Sequence, residues 1–143
     1  MNSRAKGARG ELEVAHLFQK AGYKAERGCQ HDGRSGHADV EGVPYIWIEV
    51  KRDQDLKVIH AIEQAERDSN ARRERTGEDL LPMVIHRKNG ERTWHITMRT
   101  IDFLLMCGSM PFSVIVPTEG LVTMDWEDWI QIYMAYEAER REA

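Results

Sequence analysis

The sequence predicts an α/β protein in which helices flank a mixed β-sheet, built as one domain. Three observations predict this class. The chain has 143 residues, 41% hydrophobic and 31% charged, which is typical of one compact domain. Apolar residues recur at helical spacing in three segments. Short apolar or alternating runs lie between these segments, and they give the order helix, strands, helix, strands, helix.

In chain order, the predicted elements are a helix over 4–21, strands near 23–27, 39–41 and 45–51, a helix over 56–75, strands at 83–87 and 94–98, a short helix at 101–106, a strand at 112–116 and a last helix that follows Asp125.

In the first half of the chain, the helix is predicted by a stripe that includes Leu12 and Phe18, and Gly22 is expected to end it. The stretch GCQHDGRSGHA is too rich in turn residues to pack as a regular element, so we expect a loop there. The two strands that follow this loop are separated by residues 42–44, Gly-Val-Pro, which predict a hairpin turn.

In the second half, Val58 and Ile62 mark the inward face of an amphipathic helix. The next two strands are joined by a turn at residues 88–90, Lys-Asn-Gly. An aromatic stripe at helical spacing predicts the last helix, with Asp125 as its cap; its residues are Trp126, Trp129, Tyr133 and Tyr136. We interpret this aromatic stripe mainly as a helix that packs on its own core, with a dimer contact or a base-stacking platform as alternatives.

Composition limits where the protein works and with what. No apolar run reaches the ~18 residues of a membrane helix, so no membrane partner and a cytoplasmic location are expected. Cys29 and Cys107 are not at any metal-ligand spacing and are expected to be reduced. The net charge is -4, but the basic residues gather in groups, which leaves two interpretations open: a basic face, or solvated surface charge.

The most informative motif is Asp39, nine intervening residues, and then Glu49-Val50-Lys51. Side chains alternate along a strand, so Glu49 and Lys51 share one face with Trp47, whereas the opposite face is apolar. Two carboxylates that converge from the arms of a hairpin form a hard oxygen site, suited to Mg²⁺ or Mn²⁺ rather than to zinc.

Lys51 beside these acids is positioned to stabilise charge that develops on a phosphate. The alternative is that Glu49 and Lys51 form an exposed ion pair on the same face, which contributes less than ~1 kcal/mol. The apolar opposite face favours a rigid site, because a buried face fixes the register of the strand.

Helix one adds a third acid. On a helical wheel Glu11 lies about 20° from Phe18, inside the apolar stripe, and Glu13 lies on the opposite side. An acid directed at the core suggests a metal or a buried base as its partner, and a glutamate that extends to water is the alternative.

Three segments together resemble a known family. RAKGARGELEVAHLFQKAGY, SGHADV and YIWIEVK are similar to the archaeal-type Holliday junction resolvases and related phage endonucleases of the PD-(D/E)xK nuclease superfamily. The resemblance covers residues 4 to 98. It therefore divides the single domain 1–143 into a catalytic core of about 1–100 and an extension of about 101–143 that ends in the amphipathic helix.

The resemblance implies roles for individual residues. It makes Asp39 and Glu49 metal-binding acids, with the Val50 backbone carbonyl as a further ligand. Glu11 matches a glutamate that binds the metal through water, and Lys51 matches the catalytic lysine.

The family also implies a restriction-endonuclease-like fold and a Mg²⁺-dependent DNA endonuclease, with Mn²⁺ able to substitute. The enzyme would act on Holliday junctions in DNA recombination or processing, leave 5′-phosphate and 3′-hydroxyl ends, and work as a homodimer. Two alternatives stay open: a nuclease for other branched or single-stranded DNA, and a non-catalytic DNA-binding module that has kept the fold.

Four further residues are candidate contacts to DNA or phosphate: Arg27, Arg34, Ser35 and Gln64. Surface charge is an equal interpretation for the arginines, and an exposed position on the helix is an equal one for the glutamine. His31 and His37 flank the same loop, but their spacing fits no zinc site.

Overall fold

The computed structural model describes residues 3–28, 36–108 and 118–142. In chain order its elements are α1 (Ser3–Lys20), β1 (Glu26–Arg27), β2 (Val40–Glu41), β3 (Ile46–Arg52), α2 (Val58–Thr76), β4 (Leu81–Arg87), β5 (His95–Arg99), α3 (Thr100–Cys107), β6 (Leu121–Asp125) and α4 (Trp126–Glu142). The strands in these described ranges form one six-stranded sheet, flanked by the helices. The prediction of a mixed α/β domain is therefore confirmed.

The strands lie side by side in chain order, β1 to β6. Only β3 and β4 are parallel among these described strands, with Ile46 opposite Leu81 at one end and Arg52 opposite Arg87 at the other. The other neighbouring pairs are antiparallel. A parallel pair needs a long crossover, and α2 provides it. This arrangement leaves β3 in the interior of the sheet.

Both faces of β3 are covered by helices. Ile46, Ile48 and Val50 lie in the main core together with residues of α1 and α4. On the other face, Trp47 packs against Ala65 of α2. Helices on both sides of a sheet bury both faces of its central strands, so the Trp47 face is less exposed than alternation alone predicts.

Helix α1 approaches the sheet closely at Gly10. A Cβ atom at this position would lie 3.4 Å from the Trp94 ring and 3.7 Å from side-chain atoms of both Val50 and Arg52. A larger side chain would push the helix outward. Gly10 thus sets the distance at which the next residue, Glu11, meets the sheet.

The structure differs from the predicted elements at several places. The first strand covers only Glu26–Arg27, and the strand at Leu121–Asp125 is absent from the sequence prediction. Asp125 is the last residue of that strand, and its carboxylate Oδ1 lies 3.0 Å from Nδ1 of the His95 ring. The predicted strand at 112–116 lies outside the described residues.

The aromatic stripe of α4 belongs to the protein's own core. Trp129 and Tyr133 are fully buried, and both rings pack edge-on against Phe18 of α1. The Tyr133 hydroxyl donates a hydrogen bond to the Pro44 carbonyl at 2.6 Å. The buried part of this stripe is therefore neither a dimer surface nor a base-stacking platform. Within the described ranges, no helix is both long and apolar enough to cross a membrane.

Candidate active site

Asp39 lies just before β2 and is held by its backbone and its side chain. Its N–H donates to the Ile48 carbonyl at 3.0 Å, and its own carbonyl accepts from the Gly28 N–H at 2.9 Å. Its carboxylate atom Oδ2 accepts a hydrogen bond from the Val50 N–H at 2.8 Å. The Asp39 carboxylate is therefore fixed on the side of β3 that faces β2, beside Val50.

The Val50 carbonyl lies on the same side of β3. In a strand, the N–H and C=O of one residue point to the same neighbour, which is why hydrogen-bonded antiparallel pairs exchange both bonds. Because the Val50 N–H points at Asp39, the Val50 carbonyl oxygen is also directed to this side of β3. Backbone and side-chain oxygens thus meet at one place.

Glu49 is a buried carboxylate on the α2 face of β3. Only 4% of the residue is exposed, and its Oε1 accepts a hydrogen bond from Trp47 Nε1 at 3.0 Å. Burial is the largest cause that raises the pKa of Glu49, and the negative charge of Asp39 adds to it, so the pKa reaches about 8 from its ordinary value of 4.5. The Asp39 charge therefore acts directly on Glu49, although Asp39 precedes β2 and Glu49 lies in β3.

Glu11 brings the third acid from α1. Arg27 Nε donates a hydrogen bond to Glu11 Oε2 at 2.8 Å. Burial raises the pKa of Glu11, the Arg27 hydrogen bond lowers it, and the charge of Asp39 raises it further, with a net increase. The acid that the wheel places toward the core thus lies close to the Asp39 carboxylate.

Lys51 follows on the same face of β3 as Glu49 and is partly buried. The alternative of an exposed Glu49–Lys51 surface pair does not describe this site, because Glu49 is buried and is hydrogen-bonded to Trp47. The structure thus brings three acids together from α1, the residue before β2, and β3, and the lysine lies two residues beyond the last of them.

The donors present are of the kind that Mg²⁺ accepts: carboxylate oxygens and a backbone carbonyl. In the part of the chain that the structure describes, no three His, Cys, Asp or Glu side chains form a group that could hold a metal ion by themselves. Mg²⁺ sites do not require such a group, because this ion usually keeps several waters and binds through one or two carboxylates. The residues fit such a site.

The remaining predicted contacts have mixed outcomes. Arg27 is ion-paired with Glu11, so its guanidinium already has an acidic partner. Gln64 is partly buried on α2. His37 lies 3.7 Å from Glu41. Arg34 and Ser35 lie outside the described residues, as does His31.

Glu13 contacts the sheet, which the sequence does not predict. The helical wheel directs it away from the sheet, but both of its carboxylate oxygens accept hydrogen bonds from Arg87, at 3.2 and 3.0 Å. Glu11 and Glu13 flank α1 on opposite sides, and the sheet is wide enough to meet both. Glu11 contacts the β1 side and Glu13 contacts β4. Arg52 and Arg87, two of the chain's basic residues, thus lie beside an acid.

Trp47 and Arg72 are site residues that the sequence reasoning misses. Trp47 holds Glu49, and the Arg72 guanidinium lies over the Trp47 ring at 5.8 Å from its centre. Arg72 also donates hydrogen bonds to Glu41, at 3.1 Å, and to the Gly36 carbonyl, at 2.8 Å. The only sequence signal is that Trp47 shares a strand face with Glu49. Trp47 thus holds the Glu49 carboxylate, and Arg72 packs on Trp47.

Gly28 and Ala38 bring the two segments beside Asp39 into close contact. A Cβ atom on Gly28 would lie only 1.9 Å from the Ala38 carbonyl oxygen, an impossible approach. The hydrogen bond from Gly28 to the Asp39 carbonyl depends on this closeness. Glycine is therefore required here for the backbone that carries Asp39.

Comparisons with known proteins add no family to this geometry: the chain matches no family model, no curated protein and no solved structure.

Proposed function

We propose that this chain is a metal-dependent nuclease that hydrolyses phosphodiester bonds in DNA, with a restriction-endonuclease-like fold. The observation that carries the proposal is that the Asp39 carboxylate lies beside two other acids, Glu11 and Glu49. The charge of Asp39 raises the pKa of both Glu11 and Glu49, although the three residues come from three separate parts of the chain. Crowded carboxylates destabilise a fold unless something offsets their repulsion, and a bound divalent cation does so.

Each residue has a separate role in this proposal. Asp39, Glu49 and the Val50 carbonyl would hold Mg²⁺, with Glu11 binding through water. When bound, the ion polarises a phosphate and acidifies a water molecule. The Val50 N–H and the Trp47 ring keep the two carboxylates in place, so little reorganisation is needed on binding.

Lys51 provides the positive charge for the reaction. It lies on the Glu49 face of β3 and is partly buried, so its ammonium would be less screened than on an open surface. We assign it to the oxygens of the scissile phosphate, where negative charge builds in the transition state.

For substrate and assembly we propose DNA of branched form, cut by a homodimer, with Holliday junctions as the first substrate to test. A four-way junction has near two-fold symmetry, and a C2 dimer offers two matching sites. The buried α4 stripe cannot be the contact, so a dimer would use another surface. Nucleases for other branched or single-stranded DNA are the second candidate.

A non-catalytic DNA-binding module is the alternative of a different class. The grouping of Glu11, Asp39 and Glu49 argues against it. Such a module gains nothing from acids that face a polyanion, whereas a metal would neutralise them. The same geometry therefore favours catalysis over binding alone.

The test is a comparison of two lysine variants. Lys51→Ala should reduce the single-turnover cleavage rate by at least about 10²-fold, the scale for removing a group that stabilises transition-state charge. Lys20→Ala, at the exposed end of α1, is the matched control and should cleave at the parental rate. Thermal melts of both variants should stay close to that of the parent. Equal cleavage by both variants would contradict the role of Lys51.

A further inference from the structure

We propose that a groove beside Lys51 binds an unpaired nucleobase adjacent to the cleaved phosphodiester bond. The preferred DNA would then carry an unpaired nucleotide at the cut. This inference rests on the proposed function, because it takes Lys51 to be at the scissile phosphate. It goes further in assigning a base-binding site to residues with no role in the metal site.

The groove has a volume of about 430 Å³. It lies where α2 begins, so the helix does not cover this end of the sheet. Its walls include Gln54, Leu56, Val58, His86, Glu91 and His95. The volume falls within the roughly 300–1,000 Å³ typical of small-molecule pockets.

The sheet register connects the groove to the candidate active site. Lys51 of β3 lies opposite His86 of β4, and His86 lies opposite His95 of β5. Residues opposite one another share a face, and neighbouring strands are about 4.8 Å apart. The groove therefore begins about one strand away from Lys51, which places it within reach of the nucleotide next to a phosphate bound there.

The walls suit a flat ring. The His86 and His95 rings have centroids 5.8 Å apart and are tilted by 41°. Leu56 and Val58 add aliphatic surface on the α2 side. Nucleobases bind unpaired in such settings, with one face on aromatic side chains and their edges at polar groups. Gln54 at the rim is a polar group of this kind.

The charges disfavour a phosphate in the same place. The groove is lined by three acidic side chains and two basic ones: Asp53, Asp55 and Glu91, and Arg87 and Lys88. Arg87 is already bound to Glu13. Burial, followed by the charge of His95, lowers the pKa of His86 to about 4, so its ring is neutral at pH 7. Phosphate binding relies on excess positive charge, which this groove lacks.

A nucleobase must be unpaired and unstacked to enter this groove. In a duplex each base is stacked and paired, so its ring cannot enter a pocket unless it leaves the helix. Leaving the helix is least costly where the nucleotide is already unpaired. A groove of this kind next to Lys51 therefore selects DNA with a bulged, flapped or single-stranded nucleotide at the cut.

The test compares three DNAs that share one sequence: a perfect duplex, a duplex with one bulged adenine, and the same bulge with an abasic nucleotide. The two bulges carry the same phosphates and differ only in the base. Binding is measured by fluorescence anisotropy at matched salt with Ca²⁺ in place of Mg²⁺. The parent protein should bind the adenine bulge at least about fivefold more tightly than the abasic bulge, the lower end of base-stacking effects.

Variants that fill the groove locate the effect. Val58→Trp and Gln54→Trp each place a bulky ring among the residues that line the groove, and Gln54 is exposed, so its replacement does not disturb the core. Ile59→Trp is the matched control, because Ile59 is exposed and does not line the groove. The preference for the adenine bulge should persist in Ile59→Trp and disappear in the filled variants.

Two results would overturn the inference: equal affinity of the parent for both bulges, or a base preference that survives in Gln54→Trp. Should Val58→Trp fail to fold, as judged by circular dichroism, Gln54→Trp decides the question. Failure of the proposed function gives a different pattern, in which the base preference is present but no DNA is cleaved with Mg²⁺. Cleavage without any base preference would remove the groove and keep the nuclease.

Discussion

Replacing Glu49 by glutamine should stabilise the metal-free protein while it abolishes the proposed activity. The pKa of Glu49 rises from 4.5 to about 8 in the fold, first through burial and then through Asp39. Between these values the folded protein holds a proton that the unfolded chain has released. Stability must therefore fall as the pH rises from about 4.5 towards about 8.

The magnitude follows from the size of the shift. At ~1.4 kcal/mol per pH unit, the free energy of unfolding should drop by roughly 3 kcal/mol between about pH 4.5 and about pH 7 because of Glu49. A glutamine side chain at this position cannot ionise and avoids this loss. The variant and the parent should have similar stability near pH 4.5, and the variant should exceed the parent by roughly 3 kcal/mol near pH 7.

The assay is urea unfolding of both proteins in chelator across this pH range. His86 acts in the opposite direction: its pKa of about 4 removes stability as the pH falls from about 6.5, but equally in both proteins, so it cancels in the difference. Glu63→Gln, at an exposed position of α2, is the control and should show no such divergence. A stability difference that does not change with pH would refute the raised pKa of Glu49, and with it the burial and the nearby Asp39 charge that raise it.

Three further predictions concern neighbouring residues. Glu11→Gln should impair cleavage with little loss of stability. Glu13→Gln should keep the parental cleavage rate but lower the free energy of unfolding by about 1–3 kcal/mol, because Arg87 loses its acidic partner. The reverse pattern would show that the two acids were assigned wrongly. Gly28→Ala should reduce cleavage strongly, since its Cβ would displace the Ala38 carbonyl beside Asp39, and an unchanged rate in Gly28→Ala would show that this contact does not position the site. Asp39→Asn should weaken Mg²⁺ binding, as measured by calorimetry. Ca²⁺ should bind the parent protein without supporting efficient turnover, and robust cleavage with Ca²⁺ would argue against a tight octahedral site.

Alternation along β3 predicts its faces well. Ile46, Ile48 and Val50 enter one core, and Trp47 and Glu49 share the other face, as expected for a strand of period two. Alternation does not predict that Glu49 is buried. That depends on α2 covering the second face, which is a property of the whole sheet.

The helical wheel of α1 places Glu11 correctly but misplaces Glu13. A wheel gives directions relative to the helix's own apolar stripe. It contains nothing about Arg87, which is 74 residues further along the chain and reaches Glu13 from β4. Partners this distant in sequence appear only once the sheet is assembled.

The strand β6 escapes prediction for a local reason. Its five residues, Leu121–Asp125, run directly into the aromatic helix, with no turn residues to mark a boundary. The strand is specified by its antiparallel pairing with β5, in which Thr123 lies opposite Thr97. Tertiary pairing of this kind overrides weak local signals.

Mg²⁺-dependent cleavage tests the central claim most directly. Purified protein should be incubated with labelled duplex, flap, single-stranded and four-way DNAs, with Mg²⁺ or with excess chelator, and the products mapped at their ends. The proposed function predicts cuts in at least one branched or single-stranded DNA with Mg²⁺, with 5′-phosphate ends, and none in chelator. Undiminished cleavage in chelator, or no cleavage of any DNA with Mg²⁺ or Mn²⁺, would contradict it.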